Sequence, residues 1–452
     1  MLTLAKALRI TGAQSIALVG AGGKTTALFK LARELAPALV TTSTHLGAWQ
    51  TPQADTHLIW QAGQPMPEIP AQGITLITGS LDQESNRYGG LTPQQLEHLH
   101  QFAGFHDLPL IIEADGSRQK PLKAPAEHEP SIPQFVKLVV VVAGLSGLNQ
   151  PLNEETVHRV EQFAALSGIQ IGENVSAADL ARVLNQPQGG LKNIPPGVRT
   201  VALLNQADTP ELQSLGGGMA QALLKNYDSL LVASLEQDNI HAVFEPVAGI
   251  ILAAGQSSRY GKPKQLLDFH GQPFVRVIAK TALSAGLSPV VVVTGANAQE
   301  VEAAVRDLDV RIIRNENWKE GQASSIRAGL PPFHPPIFAE VRKNGGKEGG
   351  AAIFLLADQP QVTRHVLEAL KSRHAEGLFP IVAPLIADRR GNPVLFDRVT
   401  FPDLLKLSGD VGGRALFREY PVEYIPWHDE QLLFDVDNED DYRKLLAWGV
   451  NE

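Results

Sequence analysis

Short, unbroken runs of Val, Ile and Leu, separated by amphipathic stretches, constrain the fold of this chain more than any other feature. In the first half SIALVG, ALVTT, GITLIT, LPLIIEAD, KLVVVVAG, VRTVALLN and DSLLVASL read as strands. Helices are expected between several of them, at Lys24–Leu35 and Pro93–Phe102. A strand with one wet face alternates apolar and polar residues, whereas a run that is apolar throughout must be covered on both faces. That is the situation of a parallel sheet between two helical layers. The series starts afresh at Val247 with VAGIILAAG, PVVVVTG, VRIIRN and AAIFLLAD, and helices are expected near Pro273–Ala285 and Ala298–Leu308. A chain of 452 residues exceeds one ordinary core. Two doubly wound α/β domains are therefore expected, residues 1–240 and 247–452, with the boundary in Glu236–Pro246.

Composition narrows the function. Hydrophobic residues make up 44% and charged residues 19%, enough to bury sizeable cores, and 40 Gly with 31 Pro suit many strand-to-helix turns. The net charge of -9, with no strongly basic tract, argues against nucleic-acid and acidic-membrane partners. The absence of cysteine removes disulfides, thiolate metal sites and Cys nucleophiles. The start, MLTLAKALRITGAQ, lacks the apolar core of a signal peptide, and no run approaches the roughly 18 apolar residues of a spanning helix. A cytoplasmic protein is expected. Residues Pro331–Gly350, rich in Pro, Gly and Lys, interrupt the second domain and read as a flexible insertion, with a functional lid as the alternative.

The segment LAAGQSSRYGKPKQLL, Leu252–Leu267, carries the strongest chemical signal. A buried strand runs into Ala253, Ala254 and Gly255, whose small side chains let a nucleotide lie close to the backbone. The loop Gln256–Gly261 offers amides and hydroxyls, Ser257 among them, while Arg259 and Lys264 supply cations. Phosphate binding needs such donors together with fixed positive charge. Asp358 closes AAIFLLADQP at the carboxyl end of a strand, where open α/β sheets bind ligands, and is placed to hold Mg²⁺. In FDVDNEDD, Asp437 is the second candidate ligand with Asp435 in reserve; Asp437 reads equally as an acidic helix start.

With EGQASSIRAG, RGNPVLF and GDVGGRAL added in the same order, residues from Val247 onward resemble the molybdenum cofactor cytidylyltransferases, MocA- and MobA-like members of the Rossmann-like nucleotidyltransferases. The resemblance implies that Ala253, Ala254 and Gly255 contact base and ribose, that Arg259 and Lys264 take the triphosphate, and that Gly321 and Ser325 help enclose the base. Asp358 would hold the metal, CTP would be the nucleotide and the molybdopterin cofactor the acceptor; the alternatives are a nucleotidyltransferase acting on another phosphorylated acceptor and a non-catalytic, nucleotide-regulated cofactor chaperone for an apo-hydroxylase. LAAG resembles the CTP-using branch, where GTP-using relatives carry LAGG. Two positions depart from the family pattern: Tyr260 stands where Met is usual, and Asn392 replaces His in Gly391-Asn392-Pro393.

At the other end, SIALVG leads into VGAGGKTTALFKLA. Strand, Gly-rich turn, Lys-Thr and helix is the arrangement of a phosphate-binding loop, with Gly20, Gly22, Gly23, Lys24, Thr25 and Thr26 as its members. Lys24 would reach β/γ-phosphates and Thr25 would help hold Mg²⁺. Leu18 stands where the longer form of this loop has Gly, so a shorter loop starting at Gly20 fits better. Glu113 and Asp115 end the strand LPLIIEAD, the expected place for a carboxylate near Mg²⁺, and Asp115 is the choice. NQAD, Asn205–Asp208, resembles a base-reading element with Gln206 in place of Lys. Together with TTSTHLG, EADGSRQKPLKAPAEHEP and VAGLSGLNQPLNEETVHR, this half resembles the accessory family linked with selenium-dependent molybdenum hydroxylases (YqeC-like). That resemblance implies ATP or GTP here and an apo molybdenum hydroxylase as partner. His45, His128 and His158 read as polar contacts, since none has a ligand pair at close spacing.

Overall fold

Each apolar run forms a strand in the computed structural model, which describes residues 2–256, 260–330 and 349–448. The chain divides into two units, Met1–Phe244 and Glu245–Glu452. In the first, β1 (Ser15–Gly20), β2 (Ala38–Thr42), β3 (Thr56–Ile59), β4 (Ile74–Thr78), β5 (Leu110–Glu113), β6 (Leu138–Gly144), β7 (Arg199–Asn205), β8 (Ser229–Ser234) and β9 (Asn239–Phe244) build one sheet. Their order is β9-β8-β7-β6-β1-β5-β2-β4-β3. All pairings are parallel except β8–β9, where the short turn through Asp238 leaves no room for a crossover. The sequence reading did not anticipate β3 or β9. Both are edge strands, and β3 is only half-buried, so neither needs a continuous apolar run.

Helix starts follow local chemistry. Helix α1 (Lys24–Glu34) begins at Gly23 with no capping side chain, leaving its first amides to other acceptors. Helix α2 (Pro93–Phe105) is closed by Thr92 and Gln95, which satisfy each other's backbone amides, with Pro93 in the first turn.

The second unit contains β10 (Val247–Ala253), β11 (Val290–Thr294), β12 (Arg311–Arg314), β13 (Ala351–Leu356), β14 (Ile381–Ile386), β15 (Arg389–Arg390), β16 (Val394–Asp397) and β17 (Val422–Pro426). They run in the order β12-β11-β10-β13-β16-β14-β15, with β17 on β14. Here the sheet is mixed. Strand β16 is antiparallel to both neighbours, and β14 turns into β15 through Ala387 and Asp388, both left-handed, as a tight hairpin requires. Helices α3 (Phe274–Ser284), α4 (Gln322–Gly329), α5 (Arg364–Gly377) and α6 (Glu439–Leu446) follow. Alternate strand residues serve opposite faces: Ile251, Val292 and Ile353 pack with α3 and α5, and Ile250, Val291 and Val293 with Ile326 of α4. Of the expected insertion, 331–348 lie outside the described residues. No helix among the described residues is long and apolar enough to cross a membrane.

Two buried polar contacts fasten elements that the apolar pattern cannot register. In the second unit His374 Nε2 meets Asp397 Oδ2 at 2.7 Å, joining α5 to β16. In the first, Arg159 grips Glu129 through its two terminal guanidinium nitrogens at 2.8 and 3.0 Å, and Lys123 adds a third contact at 2.8 Å. Burial opposes ionisation of Glu129, but the Arg159 hydrogen bonds and the Lys123 charge prevail and hold its carboxyl down to about 2. Replacing His374 with Leu takes this partner from a buried carboxylate, and denaturant unfolding should show a loss of roughly 3–5 kcal/mol; a loss under 1 kcal/mol would contradict a buried pair. Because the folded-state value of Glu129 is depressed, its contribution is present above the ordinary 4.5 and lost as pH falls through about 2. Glu129→Gln should therefore be less stable than the parent at neutral pH by about 3 kcal/mol, the gap closing toward low pH. A gap that does not change with pH would contradict the ion pair.

Candidate functional site

Parallel pairing brings the strand ends of the first unit to one edge. Gly20 lies beside Val142 of β6, and Leu18 beside Glu113 of β5. Leaving this edge, the chain has no room for side chains: a Cβ on Gly20 would stand 2.1 Å from Val142 O, and one on Gly22 2.2 Å from Gly144 N. Both residues also have positive φ, +100° and +76°, so glycine is required on two counts. Gly23 packs on the Asn205 amide, whose Nδ2 donates to Gly22 O at 2.8 Å while its Oδ1 accepts from Leu235 N at 3.0 Å. Asn205 thus shapes the loop. Gln206, left-handed at φ +61°, accepts from the Ser146 hydroxyl at 2.6 Å.

Lys24 is buried at the start of α1 and donates to Gly20 O at 2.8 Å. Thr25 donates to Glu113 Oε2 and accepts from Gln50 Nε2, each at 3.0 Å, while Thr26 is half-buried on the same turn. Burial pushes the Glu113 carboxyl up, with Lys24 and Thr25 opposing. Asp115 accepts the Gly20 amide at 3.1 and 2.9 Å, lies 3.3 Å from Lys24 and takes Lys123 at 2.8 Å. Of the two acids at this strand end, Glu113 is therefore the one against the threonine hydroxyl. Sequence reasoning gave no role to Gln50, which a 3₁₀ turn carries to the site, nor to Lys123 and Arg159, which lie in segments that carry the resemblance and meet only when the short strands Leu122–Lys123 and Val157–His158 pair. His158 is half-buried; its burial and the charges of Arg159, Lys123 and Arg118 hold its imidazole down to about 4. His45 and His128 are exposed.

In the second unit, Leu252 of β10 pairs with Leu356 of β13, so the residues after both strands emerge side by side. Ala253 and Ala254 are buried; Gly255 is exposed with open space where a side chain would be. Ser257 and Arg259 lie outside the described residues. Gln265, which the sequence did not single out, donates to Gly255 O at 3.0 Å and pins the strand end to the turn that holds Lys264. Lys264 donates to Asp437 Oδ1 at 3.0 Å, and Tyr260 donates to Glu439 at 2.7 Å, so the start of α6 lies on this loop. Asp358 is half-buried after β13. Burial pushes its carboxyl up, Lys264 draws it down, and Asp435 and Asp437 push it up again. Asp435 accepts from Gln359 at 2.8 Å. No group of three or more His, Asp or Glu among the described residues is arranged to hold a metal alone.

Gly321 opens α4 at φ +97°, and a Cβ there would fall 2.6 Å from the backbone of Gly409 and Asp410. The motifs EGQASS and GDVGG are thereby in contact, and Ala323 N donates to Gly409 O at 3.2 Å. Ser325 is buried; Asn315 donates to it at 3.1 Å and to Ser324 at 2.8 Å. Asn392, the residue in place of His, lies 3.4 Å from Arg414.

Comparison with known proteins matches each half separately. The family model for the YqeC protein covers residues 16–161, and that for the MobA-like NTP transferase domain covers 249–424. YqeC of Escherichia coli (strain K12) is 33% identical over 238 residues, 51% of this chain and 85% of the relative. Nicotine blue oxidoreductase of Paenarthrobacter nicotinovorans is 34% identical over 209 residues, 44% of this chain and 96% of that protein. Among solved structures, Rv0371c of Mycobacterium tuberculosis H37Rv is 29% identical, with 45% of this chain and 98% of that one covered, at a TM-score of 0.38. The chain belongs to the YqeC family in its N-terminal half and to the MobA-like NTP transferases in its C-terminal half.

Proposed function

We propose that residues 247–452 transfer a cytidylyl group from CTP to the terminal phosphate of the molybdopterin cofactor, and that residues 1–240 form a nucleotide-binding accessory domain serving a molybdenum hydroxylase. One observation carries the first part: Lys264, Asp358 and Asp437 gather beside Ala253–Gly255 at the carboxyl edge of β10 and β13. An acceptor phosphate oxygen attacks the α-phosphorus of CTP. A new P–O bond forms, the bond to the β-phosphate oxygen breaks, and pyrophosphate leaves. The acceptor is already anionic, so no general base is needed, and catalysis reduces to positioning and charge neutralisation.

The charges of Asp435 and Asp437 help push the Asp358 carboxyl up, and acids so placed suit a divalent cation. Asp358 and Asp437 would hold Mg²⁺, with triphosphate oxygens completing a shell that the protein alone does not supply. Bound there, the ion would supply neutralisation of the phosphate charge. Lys264 neutralises charge from the protein side, and Gln265 keeps its turn against Gly255. CTP is supported by Ala254, in the place where GTP-using relatives carry Gly; its methyl lies against Gly295. For the N-terminal half, support comes from the uncapped first turn of α1 together with Lys24, Thr25 and Glu113, a set suited to ATP or GTP with Mg²⁺.

The name of the Paenarthrobacter relative favours a second reading, an oxidoreductase on the same C-terminal domain. The two differ in what they release. Full-length protein with Mg²⁺, molybdopterin cofactor and CTP should release pyrophosphate, and GTP or ATP should support at most a tenth of that rate, the expected scale for a misplaced base. Asp358→Asn should lower kcat about 10²–10³-fold. Consumption of NADH or NADPH with no pyrophosphate release from any nucleotide would transfer the assignment to the oxidoreductase.

A further inference from the structure

Three donors that a phosphate would use in the N-terminal loop converge on one carboxylate. Asp115, 2% exposed, holds the Gly20 amide, the Lys24 ammonium and the Lys123 ammonium at once. Lys123 also donates to Gly116 O at 2.6 Å and reaches Glu129, which Arg159 closes from the other side. Three cations, Lys24, Lys123 and Arg159, thus meet three carboxylates, Glu113, Asp115 and Glu129. A balanced cluster of this kind has little net attraction for a further anion, and adding one to a buried site is costly unless charge is compensated. Beside it lies a cavity of about 40 Å³, bordered by Gly20, Asp115, Lys123, Leu184 and Gly190. That is space on the scale of a water molecule, next to the carboxyl group.

We propose that a terminal phosphate or pyrophosphoryl group enters the N-terminal site by displacing Asp115 from Gly20, Lys24 and Lys123, with Lys123 becoming a second phosphate cation and a divalent cation entering with the anion. This rests on the reading of the N-terminal half as a nucleotide site. It differs from assigning Asp115 to the metal: here the carboxylate competes with the ligand, and removing its charge helps binding. Asp115→Asn keeps the shape of the side chain, leaves Lys123 its Glu129 partner, and gives the cluster one excess positive charge.

The test is calorimetric titration of the full-length chain with inorganic pyrophosphate, with and without Mg²⁺. Binding lost in Lys24→Met defines the N-terminal component. In the parent that component should require Mg²⁺. In Asp115→Asn it should appear without Mg²⁺, and be at least ten-fold tighter than in the parent. Lys123→Met should weaken it ten-fold or more; no effect would overturn the role given to Lys123. Weaker Mg²⁺-pyrophosphate binding by Asp115→Asn would make Asp115 a metal ligand and overturn the exchange, leaving the nucleotide reading intact. If Asp115→Asn does not fold, the Mg²⁺ requirement of the parent decides, and metal-independent binding there overturns the proposal. No Lys24-dependent binding of either pyrophosphate or ATP would end the nucleotide reading and this inference together.

Discussion

Parallel strand pairing puts every strand end of a sheet at one edge, and the chain leaving that edge must turn against its neighbours' backbones. In the first unit this leaves so little space at Gly20 and Gly22 that a methyl group would overlap Val142 and Gly144. The constraint has a chemical consequence. A backbone stripped of side chains exposes amides, and the helix that follows adds its own unsatisfied donors. The carboxylates that end adjacent strands then stand next to a concentration of positive potential. Glu113 and Asp115 owe their positions to the pairing of β5 with β1, as Asp358 owes its position to the pairing of β13 with β10.

The two edges resolve that potential differently. In the N-terminal unit the charges are buried and satisfied by one another: Lys24, Lys123 and Asp115 are almost wholly covered. Coulomb interactions there are little screened, so each partner is held firmly and any ligand must exchange with one of them. In the C-terminal unit Asp437 is 62% exposed and Lys264 reaches it from a short turn. Such a pair is worth little by itself. On the proposed function, turnover at the C-terminal edge would gain from that looseness, and ligand exchange at the N-terminal edge would give a switch-like response.

Much of the fold was legible because burial on both faces leaves a direct mark on composition. The runs ending at Gly20, Glu113, Ala253 and Leu356 could be read as strands, and the Gly-Lys-Thr and Ala-Ala-Gly turns placed at their ends. Edge strands such as Thr56–Ile59 left no such mark, and the antiparallel insertion of Val394–Asp397 depends on a hairpin, which a run of apolar residues does not encode. At the sites, residues inside a motif were recoverable and residues delivered by distant loops were not. Arg159 joins Lys123 on Glu129 from a segment some thirty residues away, and Gln50 reaches Thr25 from a 3₁₀ turn after β2. Asn205 was noticed for its resemblance to a base-reading element, while its bonds to the backbone of the loop and of Leu235 left no mark in the sequence.

The central claim is that each half presents its own nucleotide site at the carboxyl edge of its own sheet. Counting bound nucleotides per chain by equilibrium titration with CTP and ATP in the presence of Mg²⁺ tests it most directly. The account predicts two sites, one lost with Lys24→Met and the other weakened by Asp358→Asn, each substitution sparing the other site. A single site, or loss of all binding through either substitution alone, would contradict it.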